Sequence, residues 1–215
     1  MARGLYWNTL LHQFRREWHI VQDRISAALP LAADHGMAIV LAVGPIMQGW
    51  ALAMQGEGTE GLRQLQQGLE AYQATGAVFQ RPHFLAMLAE VYGRVGQLAD
   101  GLSTIAEALM LVEQTEERYY EAELHRLKGE LLLQQTIPDA SQAAVCLLQA
   151  LDIARSQQAK SLELRAATSL ARLWQSQGKR QEAYDLLAPV YGWFTEGFNT
   201  ADVQDAKALL DELEG

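Results

Sequence analysis

The chain has 215 residues, 49% of them hydrophobic, and a formal charge of −9. That is enough apolar material for a substantial core, and the negative balance disfavours a nucleic-acid backbone or an anionic membrane as partner. With 17 Gly and 5 Pro there is too little turn chemistry for a β protein. A single cysteine, Cys146 in "AAVCLLQAL", excludes an internal disulfide and a multi-cysteine metal site.

In chain order, "MARGLYWNTLLHQF" lacks the long apolar core and cleavage site of a signal peptide. No apolar run reaches the ~18 residues of a membrane span, so the expected location is the cytoplasm. Val21, Ile25, Ala28 and Leu29 then form a helical stripe. "GWALAMQGEGTEGLRQLQQGL" begins at Gly49, "AEVYGRVGQLADGLSTIAEAL" at Ala89 and "ARLWQSQGKRQEAYDLLAPVY" at Ala171. The three align. Leu52, Tyr92 and Trp174 share one place, Gly56, Gly96 and Gly178 the next, then Gly61, Gly101 and Ala183, then Leu65, Ile105 and Leu187. A fourth copy starts at Gly129 with Leu132, Ala143, Leu147, Ala150 and Leu151, and carries two extra residues near "TIPD". The stripe around Val21 belongs to a weaker copy 40 residues before the first, and the spacing throughout is 40 to 42.

Small residues at the first and twelfth positions let two antiparallel helices approach closely, and the glycine between them ends the first helix. Each pair leaves an apolar face that only a neighbouring pair can cover. The reading is all-α: a right-handed solenoid of about five hairpins, some ten helices, in one repeat domain over 1–215. The repeats fall near 5–36, 37–76, 80–116, 119–158 and 161–197. A capping helix is expected over 200–214, where "TADVQDAKALLDELEG" places Asp202 and Asp205 early.

The small–Tyr–Gly–Ala–aliphatic–Ala–Leu signature resembles the tetratricopeptide repeat (TPR), with a period longer than that family's usual 34. Thr9 and His12 depart from it at the small and aromatic places of repeat one. "RREW", "GWALAMQG", "YEAELHRLKGELLL", "AKSLELRAATSLARLW" and "LLAPVYGWFTEGF" resemble the C-terminal repeats of large bacterial signalling proteins, in which an adenylate-cyclase-type or DNA-binding domain precedes a STAND-type ATPase. The resemblance implies a non-catalytic module that binds a partner or inducer and biases the neighbouring ATPase.

"GEGTEG", residues 56–61, fits G-x-G-x-x-G, but a helix rather than a strand precedes it and its glycines fall on repeat positions. "GKR" at Gly178 lacks the rest of a P-loop. Among His12, His19, His35, His83 and His125 no pair makes H-E-x-x-H, and no third zinc ligand accompanies Glu121 and His125 or His19 and Asp23. No metal and no cofactor is expected.

"YYEAELHRLKGE", residues 119–130, is dense in ionisable groups. Leu124, Leu127, Leu131 and Leu132 form its apolar stripe, and Glu123, Arg126 and Glu130 share another face. In TPR proteins that face of the first helix lines the groove; the alternative is a solvated charged face. The same phase picks Ile46, Trp50 and Met54 in repeat two, His83, Glu90 and Arg94 in repeat three, and Arg165, Arg172 and Gln175 in repeat five. Such a groove suits a protein or peptide segment with apolar and acidic parts, including the parent protein's own ATPase domain. Arg126 is expected to carry affinity rather than stability, since exposed charge pairs contribute ~0–1 kcal/mol. Two alternatives stay open: an inducer receptor with an apolar pocket near Trp50 and Met54, and an enzyme using Glu121, His125 and Glu130. The sequence also admits an end-to-end homodimer through Leu5, Tyr6 and Trp7.

Overall fold

The computed structural model describes residues 2–215, with side chains from Gly4 onward. Among the described residues there are eleven helices and no strand. They are α1 (Ala2–Phe14), α2 (Trp18–Asp34), α3 (Ala38–Met54), α4 (Gly58–Ala74), α5 (Arg81–Arg94), α6 (Leu98–Thr115), α7 (Glu121–Leu133), α8 (Ala140–Ser156), α9 (Lys160–Ser176), α10 (Arg180–Tyr191) and α11 (Ala201–Glu214). Among the described residues no helix is long and apolar enough to cross a membrane. The architecture is an α-solenoid of helical hairpins with a TPR-like repeat.

The chain divides into two compact units, 1–108 and 109–215, with the division inside α6. In the first, α2 lies against α1 and α3, α4 lies against α3 and α5, and α1, α3 and α5 also touch in series. Trp50, Phe84, Ile25, Ile46, Met47 and Leu65 fill its core. In the second, α8 lies against α7 and α9, α7 touches α9, and α11 rests on α9 and α10. Leu147, Leu151, Leu164, Leu170 and Leu187 centre that core, and Cys146 is a buried free thiol beside it.

The small residues act as the spacing implies. A Cβ on Gly49 would stand 2.5 Å from the Gly61 carbonyl oxygen and 2.6 Å from the Leu65 nitrogen. The hairpin turns use a left-handed residue at one register: φ is 100° at Gly56, 77° at Gly96 and 78° at Gly178, and Arg16 takes 59° at the equivalent place. The "GEGTEG" glycines are therefore a turn and a helix contact. The extra residues near "TIPD" are absorbed before α8, where Asp139 caps by accepting the Gln142 N–H at 2.9 Å.

The turns between repeats have a second left-handed position that no composition signal marked. It is Gly36 (62°), Gly76 (75°), then Glu116 (57°) and Gln158 (55°). An L-residue in this conformation costs about 1–2 kcal/mol, and glycine's extra unfolded-chain freedom costs about 0.5–1 kcal/mol. Gln158→Gly is therefore expected to raise stability by up to about 1 kcal/mol, read from urea unfolding midpoints.

Candidate functional site

In the first unit the sites read from the sequence lie on α3 and α5. Trp50 donates its indole N–H to Glu90 Oε2 at 2.8 Å, joining two residues one repeat apart. Trp50 is 1% exposed, so it offers no ring face to a ligand. Ile46 is buried against α4, within 2.7 Å of where a Gly68 Cβ would be. His83 is buried as well; its Nε2 lies 2.9 Å from Gln13 Oε1 and its ring stacks on Phe14 at 5.0 Å. What remains accessible is half-buried Met54 and Glu90, and exposed Arg94 one helical turn beyond Glu90. The pocket expected near Trp50 and Met54 thus lacks its main wall.

In the second unit five charged groups and a hydroxyl join α7, α9 and the start of α11. Arg126 forks onto Glu123, Nε to Oε2 at 2.9 Å and Nη2 to Oε1 at 2.7 Å. Its Nη1 stands 2.5 Å from Glu130 Oε1, which also accepts from Ser169 Oγ at 2.7 Å. Arg165 reaches Glu123 Oε1 at 3.3 Å and donates from Nε to Asp202 Oδ2 at 2.7 Å. Burial would push the Arg165 guanidinium down, but Glu123 and Asp202 outweigh it and hold the charge above its ordinary range. The side chains of Glu123, Arg165 and Arg126 are only 5%, 9% and 13% exposed. Arg126 is therefore a strut in a mostly buried network, not an exposed grip, and the expectation that its loss costs little stability does not survive its burial.

The sequence phase found four members of this network. It missed Ser169, and it took Asp202 only as a helix-start acid. Arg172 lies three residues beyond Ser169 on α9, exposed. Gln175 is half-buried and donates to Glu212 at 3.2 Å. Neither Arg94 nor Arg172 forms an ion pair or hydrogen bond among the described residues, and both guanidiniums are exposed.

The triad considered for catalysis is dispersed. Glu121 bonds to Arg118 at 3.1 Å, Glu130 turns to Arg126 and Ser169, and His125 Nδ1 is buried without a hydrogen-bond partner. Among the described residues no three His, Cys, Asp or Glu side chains converge as metal ligands would. Burial pushes the His125 pKa down, opposed by Glu121 and assisted by Lys128. The folded protein thus prefers neutral His125, while the unfolded chain takes up a proton near pH 6.5. Its contribution to stability is intact above about pH 6.5 and is lost as pH falls toward the lower folded pKa. Melting temperature is expected to drop between about pH 6.5 and 5, and His125→Leu to flatten that drop.

Two surface clefts stand apart from these residues. One of about 460 Å³ lies between the end of α10 and α11, lined by Tyr191, Phe198, Val203, Gln204, Lys207, Ala208 and Asp211. The other, about 160 Å³ beside Arg81 and Glu107, is below the usual size of a ligand site.

No protein-family model matches the chain. An uncharacterized protein of Rhizobium meliloti (strain 1021) is 31% identical over 161 residues, 74% of this chain but only 16% of that protein. Among solved structures, the Rap protein complexed with Competence and Sporulation Factor has a TM-score of 0.79 at 15% identity, covering 99% of this chain and 64% of that one. Yeast Tom70 has a TM-score of 0.62 at 13% identity, covering 99% and 40%. A Podosopora anserina kinesin light chain with nearly identical TPR-like repeats has 0.57 at 18%, covering 88% and 92%. These likenesses define the class of fold, a TPR-like helical repeat.

Proposed function

We propose that the chain is a non-catalytic interaction module that grips acidic and apolar segments of protein partners on the first-helix faces of the hairpins within each unit. One observation carries this reading. Of the four arginines that the repeat phase selects, Arg126 and Arg165 are locked into an internal network, whereas Arg94 and Arg172 have no partner among the described residues. A free guanidinium matches a carboxylate in a bidentate fork. The likeness of fold to a Rap protein solved with Competence and Sporulation Factor supports such use. That the Rhizobium meliloti relative is about six times longer than the matched stretch supports a module within a large protein. In that setting the module senses a cytoplasmic signal and biases a STAND-type ATPase on the same chain between its off and on states, and that ATPase domain is one source of the bound segment.

The test is to pan a random-peptide display library on the chain and measure the winners by titration. Enriched peptides should combine Asp or Glu with apolar residues. Arg94→Ala and Arg172→Ala should each weaken binding about tenfold or more, as hydrogen bonds to charged groups contribute about 1.5–3 kcal/mol, with melting unchanged. No enrichment over bare support, or full binding by the double variant, would contradict the reading.

A further inference from the structure

The 40-residue register compares the same face of successive first helices. In α3 that face is covered by α2: a Cβ on Gly44 would stand 2.5 Å from Leu29, and Gln55 donates to Gln22 at 2.7 Å. Met47 and Ala51 lie between these two contacts on the same side of the helix, and both are fully buried. In α5 the equivalents Met87 and Val91 are buried too, and Val95 lies 2.6 Å from where a Gly58 Cβ of α4 would be. In α1 the equivalents are Gly4, Trp7 and Leu11, with Arg15 just past the end of the helix. A Cβ on Gly4 would meet nothing within 4 Å, and Trp7 and Leu11 are 50% and 52% exposed. The other side of α1 is buried through Tyr6, Thr9, Leu10 and Gln13.

We propose that the Gly4–Trp7–Leu11 stripe of α1 is a docking face for the second helix of a further hairpin of the same repeat type. The occupant is an amphipathic helix lying on α1 as α2 lies on α3 and α4 on α5. It sets a branched aliphatic side chain over Gly4, as Leu29 does over Gly44. It sets smaller residues opposite Trp7 and Leu11 than α2 sets opposite Met47 and Ala51, because the α1 side chains are larger. The face is independent of Arg94 and Arg172 and does not rest on the groove reading. The continuity of one interface through successive repeats identifies the occupant.

The test fuses a copy of residues 41–80 directly before Met1, which keeps the 40-residue register. Amide exchange over residues 4–15 should slow at least about tenfold, and the added helices should unfold together with the first unit. Trp7→Lys with Leu11→Lys in the fused protein should abolish both effects, and the same pair of changes in the original chain should leave its fold intact. Unchanged exchange over 4–15, or an added hairpin that unfolds separately, would overturn the proposal. So would a dimer of the original chain in sedimentation that the two lysines disperse, since the face would then belong to a second copy.

Discussion

Arg165→Met is expected to cost about 3–5 kcal/mol, the range for removing one partner of a buried ion pair. Arg165 is the shared cation of Glu123 on α7 and Asp202 on α11, with all three side chains at most 12% exposed. Removing it takes the 2.7 Å bond from Asp202 and leaves the Glu123 carboxylate to Arg126. Methionine preserves much of the volume, so the loss is electrostatic rather than a cavity. The damage should appear first where Arg165 anchors a terminal helix. Amide exchange over 201–214 should accelerate before that over α7, and urea unfolding should shift to lower concentration. A change below about 1 kcal/mol would place the pair among surface ion pairs and remove the network from the account.

Gly49→Val is expected to cost at least about 3 kcal/mol, at the upper end for overpacked interiors. The new Cβ would overlap the Gly61 carbonyl and the Leu65 amide, which are backbone atoms of α4 and cannot rotate aside. Valine also brings little of the helix-propensity gain that alanine would set against the clash. The two helices can relieve it only by separating, which opens packing around Leu65 and Trp50. Differential scanning calorimetry should show a melting temperature lower by about 6–12 °C, since 1 kcal/mol corresponds to about 2–4 °C at this chain length. An unchanged melting temperature would mean that the α3–α4 approach is looser than the geometry states.

The repeat was legible because close helix approach demands a small residue, and that demand recurs at Gly49, Ala89, Gly129 and Ala171. The hairpin turns were legible where Gly56, Gly96 and Gly178 filled the left-handed place and hidden where Arg16 did, and the turns between repeats, which use Gly36, Gly76, Glu116 and Gln158, were not read, because that conformation favours glycine without requiring it. The phase also put Trp50 and Glu90 in one set, and they hydrogen-bond across the repeat. Depth was not. Burial of Ile46, Trp50, His83 and Glu123 depends on what neighbouring helices lay over them, which periodicity within one helix does not contain. Asp202 escaped for the same reason, since its pairing with Arg165 needs α11 docked on α9.

The most direct test of the interaction module is amide exchange on the chain with and without the strongest acidic peptide from the display library. Protection is expected around Glu90 and Arg94 at the end of α5, and around Ser169 and Arg172 on α9. Arg94→Ala should remove the protection on α5 and Arg172→Ala that on α9, while Arg126→Ala should lower stability more than it lowers binding. Protection confined to α4, α8 or α10, or binding that survives the double variant, would put the partner on the other side of the hairpins and contradict the account.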